Sequence, residues 1–177
     1  QPATGVDAPI VMLHYGYLDE VKQAKNKDDR NRRLLLRALE RRPDDFAIRW
    51  AVAEFFSNFP ERPEAWKEYQ ACYSALQDGR WSPANVEGWS AAASAALAGL
   101  SFRQGNSSEA ELYARQSLQH QPFSTEGLFW LGHALIASGR WANAVDCFEK
   151  LLAGSDAEHA NEVRVYRAMR TWKARDA

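Results

Sequence analysis

The chain has 177 residues, the size of one domain, and its 46% hydrophobic and 25% charged residues are values of an ordinary globular protein. Twenty-two Lys and Arg stand against twenty-three Asp and Glu, so the net charge of −1 gives no global attraction to nucleic acid or acidic lipid. No apolar run approaches the ~20 residues that a bilayer crossing needs, and no charged start leads into an apolar stretch and cleavage site, so neither a membrane span nor a secretory signal is expected.

In chain order, Pro9-Ile10-Val11-Met12-Leu13 is the one stretch with an extended pattern. Helical patterns follow at about 18–26, 28–42, 45–58, 61–77, 84–104, 107–121, 125–138, 141–153 and 158–174. Residues 22–42 hold nine Lys and Arg against three acids. Such a run can face a membrane surface, nucleic acid or a neighbouring domain, or be a solvated helix face. No aromatic interleaves it, which argues against stacking on single-stranded nucleic acid. Pro60 and Pro63 stiffen the corner between 45–58 and 61–77. Ser82-Pro83-Ala84 reads as a helix start. The last helix carries Val163, Tyr166, Met169 and Trp172 at three-residue steps, as a capping helix would.

These helices repeat. Leu97 and Leu131 are 34 residues apart, as are Ala98 and Gly132, Gly105 and Gly139, and Ala110 and Ala144. Phe148 follows Ala144 by four, and Pro122 closes the unit before. The period and residue types resemble the tetratricopeptide repeat. Small residues let two helices approach, Gly turns the corner, an aromatic fills the gap to the next unit, and Pro stops the second helix. Upstream, Asn31, Leu35, Ala38, Leu39 and Pro43 keep the phase, as do Ala53, Phe56, Ala65 and Tyr69. The expected fold is all-α: a tetratricopeptide-like, right-handed superhelical solenoid of antiparallel helix pairs with a C-terminal capping helix. Its units fall near 18–45, 46–79, 91–124 and 125–158, with an insertion at 80–90 and the cap at 159–177.

The N-terminal quarter carries a second resemblance. It reads His14-Tyr15-Gly16-Tyr17, then Lys25, Lys27, Arg30-Asn31, Leu34-Leu35 and Pro43-Asp44-Asp45. This order is similar to the junction in bacterial family 2 glycosyltransferases where the catalytic domain gives way to helical repeats. The resemblance implies that residues 1–17 are the extended tail of an upstream catalytic domain and that a longer protein precedes Gln1. It also implies that His14 would be a ligand of the divalent metal that holds the sugar-nucleotide diphosphate in that longer protein. The chain itself has no Asp-x-Asp or Asp-x-His pair, and one imidazole does not hold Mn²⁺ or Mg²⁺ against water. No cofactor is therefore expected in this chain alone.

No nucleophile motif, phosphate loop or zinc-protease motif is present, so residues 18–177 are expected to bind rather than catalyse. Cys72 and Cys147, the only cysteines, lie in helical patterns without metal-ligand spacing. They read as buried small apolar residues, and a reducing, cytoplasmic compartment is the expectation. The phase puts Trp50 on the groove side of a first helix, with Glu54 and Asn58 at four-residue steps on the same face. Later units offer Phe102, Arg103, Phe129, His133, Arg167 and Arg170. A mixed aromatic and charged groove suits a peptide or protein partner. The alternatives are that a second copy of the chain fills it, or that the chain's own insertion does. On the first view Trp50, Phe102 and Phe129 are partly exposed. Trp66, Trp130 and Trp141 are expected mostly in the core, while Trp81 and Trp89 have no evident place. The Lys and Asn pattern that clamps a C-terminal carboxylate in some such domains is missing, which argues against a chaperone-type tail receptor. The leading expectation is a protein-interaction module, with homo-oligomerisation as one form of it. The alternative is the acceptor-binding or dimerisation region of a family 2 glycosyltransferase.

Overall fold

A computed structural model describes residues 27–59 and 63–153. The expected extended stretch near residue 11, the helix at 18–26 and the cap at 158–174 lie outside these. Among the described residues the chain is all-helical, with no strand. The helices are α1 (Lys27–Arg41), α2 (Phe46–Phe56), α3 (Glu64–Gln77), α4 (Val86–Arg103), α5 (Ser107–His120), α6 (Thr125–Ala137) and α7 (Trp141–Ala153). None of the described helices is long and apolar enough to cross a membrane.

Helix starts are set by short polar side chains. Asp45, Asn85, Asn106 and Ser124 each accept a hydrogen bond from the backbone N–H three residues on, satisfying a donor that the first turn leaves open. Asn85 places the start of α4 just past Ser82-Pro83-Ala84, so most of the insertion is irregular chain rather than added helix.

The 34-residue register is visible in hydrogen bonds. Gly105 N–H donates to the Phe102 carbonyl, and Asn106 N–H to the Ser101 carbonyl, both at 2.9 Å. Shifted by 34, Gly139 donates to Ile136 and Arg140 to Leu135, again both at 2.9 Å. Gly105 and Gly139 have φ of 82° and 73°, a left-handed conformation that the turn needs and that side chains resist.

Each helix packs on the next along the chain, and α4 also packs on α6. Close approach is made by missing side chains. A Cβ on Gly99 of α4 would meet the Trp130 indole of α6 at 2.7 Å, and one on Gly132 would meet the Phe148 ring of α7 at 2.6 Å. Ala110 and Ala144 are buried, as the register requires. Helix α4 is enclosed over most of its surface, which its Ala, Ser and Gly content permits. Its buried Ser94 and Ser101 hydroxyls donate to carbonyls four residues back, so their polarity is satisfied within the helix.

Two regions of core result. The first joins α1, α2, α3 and α4 around Trp50, Phe56, Tyr69 and Leu97. The second joins α4 to α7 around Ala98, Ala114, Leu131, Leu135 and Ala144.

Candidate functional site

The residues expected to line one groove divide between these regions. Trp50 is only 7% exposed. Its ring meets Tyr69 edge-on at 5.2 Å and Trp89 edge-on at 4.8 Å, and stacks near Phe46 at 5.9 Å. Trp81 stacks on Phe46 at 3.4 Å and lies edge-on to Trp89 at 5.6 Å. Trp81 belongs to the 80–90 insertion and Trp89 closes it at the start of α4. The expectation that Trp50 is partly exposed is therefore corrected: the chain's own insertion covers it, one of the alternatives the sequence left open. A period count does not say that Trp89, at the start of α4, will meet Trp50, or that Trp81 will stack on Phe46 beside it.

Beneath this cluster, Arg49 of α2 donates through a terminal nitrogen to the Glu68 carboxylate of α3 at 2.6 Å. Glu68 is buried, so the pair supplies the charge balance that lets a carboxylate sit inside. Farther along α2, Glu54 is half-buried and Asn58 exposed. The Asn58 amide donates to the carbonyls of Glu54 and Phe55, both at 3.3 Å, which turns it back on the end of its own helix.

The second region keeps an accessible patch. Phe102 and His133 are half-buried, Arg103 is exposed, and Trp130 beside them is half-buried. The His133 ring lies 5.5 Å from Phe102, 4.5 Å from Phe129, 5.6 Å from Phe148 and 6.1 Å from Trp130, measured between centroids. Phe129, at 5% exposed, is the floor of this patch and not a contact residue, which corrects its expected exposure. It is held by Leu128, Leu151, Trp130 and Phe148. The Arg103 Nε donates to the Gly99 carbonyl at 3.1 Å, which lays the side chain along the end of α4.

Trp130, read from the sequence as core, is half-buried: it packs against the second core region and Gly99 and also borders the patch. The available signal was its position three residues before His133, on the same helix face. Trp141, also expected in the core, is 63% exposed among the described surroundings. Arg167, Arg170 and His14 lie outside the described residues.

Chemically, the patch offers ring faces and edges, an imidazole able to donate and accept, and a guanidinium at its rim. Such a set is chemically able to accept an apolar or aromatic side chain with a polar or acidic neighbour. Among the described residues, no group of three or more His, Cys, Asp and Glu is placed to hold a metal. Both cysteines are buried. Burial pushes the Cys72 thiol up to about 12, helped by the nearby Glu68, and it also raises Cys147; neither is a ready nucleophile. No protein-family model matches the chain, and no curated protein matches it.

Proposed function

We propose that this chain is a tetratricopeptide-like interaction module whose helix pairs are antiparallel and wind into a right-handed solenoid, and that it binds a protein segment at the patch of Phe102, Arg103, Trp130 and His133. The observation that carries this is the gathering of partly exposed aromatic rings around His133, beside Arg103, on the two helices that pack α4 to α6. Apolar rings held open by rigid helices suit an inserted side chain, and Arg103 suits a carboxylate next to it. Trp50 is core and lies outside this contact surface. The bound segment belongs to another protein or to a second copy of this chain.

The test is selection of peptides from a displayed library against the intact chain, followed by affinity measurement with Phe102→Asp and with Trp50→Phe. Peptides should lose at least about tenfold in affinity to Phe102→Asp, equal to ~1.4 kcal/mol, and little to Trp50→Phe. Selected peptides that ignore Phe102→Asp would refute the patch.

The second reading treats the module as the C-terminal region of a family 2 glycosyltransferase. It is supported by the order Arg30-Asn31, Leu34-Leu35 on α1, then Pro43-Asp44-Asp45, leading into helix pairs. Sugar transfer by a longer parent protein, lost with His14→Ala, is its test.

A further inference from the structure

Helix α1 buries one side and leaves the other charged. Leu35, Leu36 and Leu39 pack against the first core region. On the opposite side, Arg30, Arg33, Arg37 and Arg41 follow at steps of three, four and four residues, and all four are exposed. At 3.6 residues per turn they fall in a stripe about 80° wide and about 16 Å long. Leu34, 57% exposed, lies at its edge.

Among the described residues no carboxylate forms an ion pair with any of the four. The five ion pairs present use Arg42, Arg49, Arg80, Arg115 and Arg140 instead. The Arg33 Nε donates to the Asp29 carbonyl at 3.4 Å. A solvated helix face ordinarily mixes signs at these spacings, because like charges one turn apart repel by a few tenths of a kcal/mol per pair, ~0.2–0.5. Here four cations are aligned and, among the described residues, none of them is in an ion pair, although Asp29 and Glu40 lie beside the stripe.

We propose that this stripe is a docking line for an acidic helical segment of a partner protein, separate from the aromatic patch. Three observations select that occupant. The stripe is narrow, and its own helix carries Asp29 and Glu40 beside it, so a broad anionic surface would meet acids as well as arginines. Residues 27–42 hold seven Lys and Arg against three acids, net +4, in a chain of net −1, leaving −5 on the remainder. A membrane or duplex would repel that remainder, whereas one acidic helix reaches the stripe alone. Finally, all four cations are arginines, whose planar fork pairs with carboxylates in two-point fashion, and their steps match carboxylates three and four residues apart on a facing helix. Successive arginines are separated by about 4.5–6 Å along the axis, inside the ~8 Å screening length at physiological salt, so they act together.

The experiment uses the intact chain and a capped, helix-forming peptide with Glu at three- and four-residue steps. Its isomer has the same residues with Glu at every second position. Fluorescence anisotropy should show tighter binding of the first peptide, weakening as salt rises. Arg33→Gln with Arg37→Gln should weaken it about tenfold, since each exposed pair contributes only ~0.2–1 kcal/mol. Arg80→Gln, an exposed cation elsewhere, should leave it unchanged, and unchanged melting of all variants confirms folding. Equal binding of both peptides, or none, overturns the proposal. So does tighter binding to phosphatidylserine vesicles or to duplex DNA than to the peptide, either of which reassigns the stripe to that polyanion.

Discussion

The two core regions are built from the same helical units and end with opposite surfaces. In the second, α4 meets α6 directly because Gly99 has no side chain, and the rings around His133 remain partly open. In the first, the irregular residues before α4 carry Trp81 and lead into Trp89, and these indoles fill the place beside Phe46 and Trp50. Eleven residues between units thus convert a would-be contact face into core. The lesson is that which aromatics of a helical chain stay accessible depends on the segments between the helices as well as on sequence phase.

The sharpest way to break this contrast is Trp50→Ala. If Trp50 is core, its removal leaves a cavity among Phe46, Tyr69 and Trp89 and should destabilise the chain by ~3–5 kcal/mol in denaturant unfolding. A loss under about 1 kcal/mol would mean that the cluster collapses without penalty and that the first region is not a packed core.

A smaller effect is expected from Gly99→Ala. Alanine gains up to ~1 kcal/mol of helix propensity over glycine. Against that stands an indole at 2.7 Å from the new Cβ, and overpacking of this kind costs ~1–3 kcal/mol. The bulky Trp130 is poorly placed to yield, so the net change should be a destabilisation of about 1 kcal/mol. A stabilised variant would show that α4 and α6 have slack between them, and the patch beside them would then lack a rigid frame.

Much of the helical order was legible in the sequence because it rests on local chemistry. Gly105 and Gly139 sit where the turn requires positive φ, and Ala110 and Ala144 sit where two helices leave no room for more. Of the residues expected along the groove, Phe102 and His133 are half-buried and Arg103 is exposed, in two units that follow the period without interruption. Trp50 and Phe129, expected to be partly exposed if the groove binds a segment, are buried. For Trp50 the cause is Trp89 at the start of α4, whose position the break in the period before that helix leaves unspecified. For Phe129 the cause is packing against the next helix: Leu151 and Phe148 of α7 lie against it. The arginine stripe was visible only as a basic run. Sequence gives its charge, but only burial of Leu35, Leu36 and Leu39 fixes which cations remain outside.

The smallest expected effect lies at the seam between the two regions. Tyr73 of α3 and His120 at the end of α5 come together with the hydroxyl 3.4 Å from Nε2, and Gln70 donates to the Tyr113 hydroxyl nearby. Desolvation lowers the His120 pKa from its ordinary 6.5, with a weaker opposing pull from Glu87. The folded chain therefore favours the neutral ring. Well above pH 6.5 the ring is neutral whether folded or unfolded, and it makes no pH-dependent contribution. As pH falls below 6.5 the unfolded chain takes up the proton first, so stability is lost until the folded pKa is passed, and the loss is then constant. His120→Asn keeps a polar group of similar reach toward Tyr73 without the titration. Denaturant midpoints at about pH 7.5 and about pH 5 should show wild type losing more stability on acidification than the variant, since other titrating groups are common to both. Identical losses would place His120 in water in the folded state. The two regions would then meet through the Tyr113 contacts with Gln70 and Trp66 and through α4, without a desolvated imidazole between them.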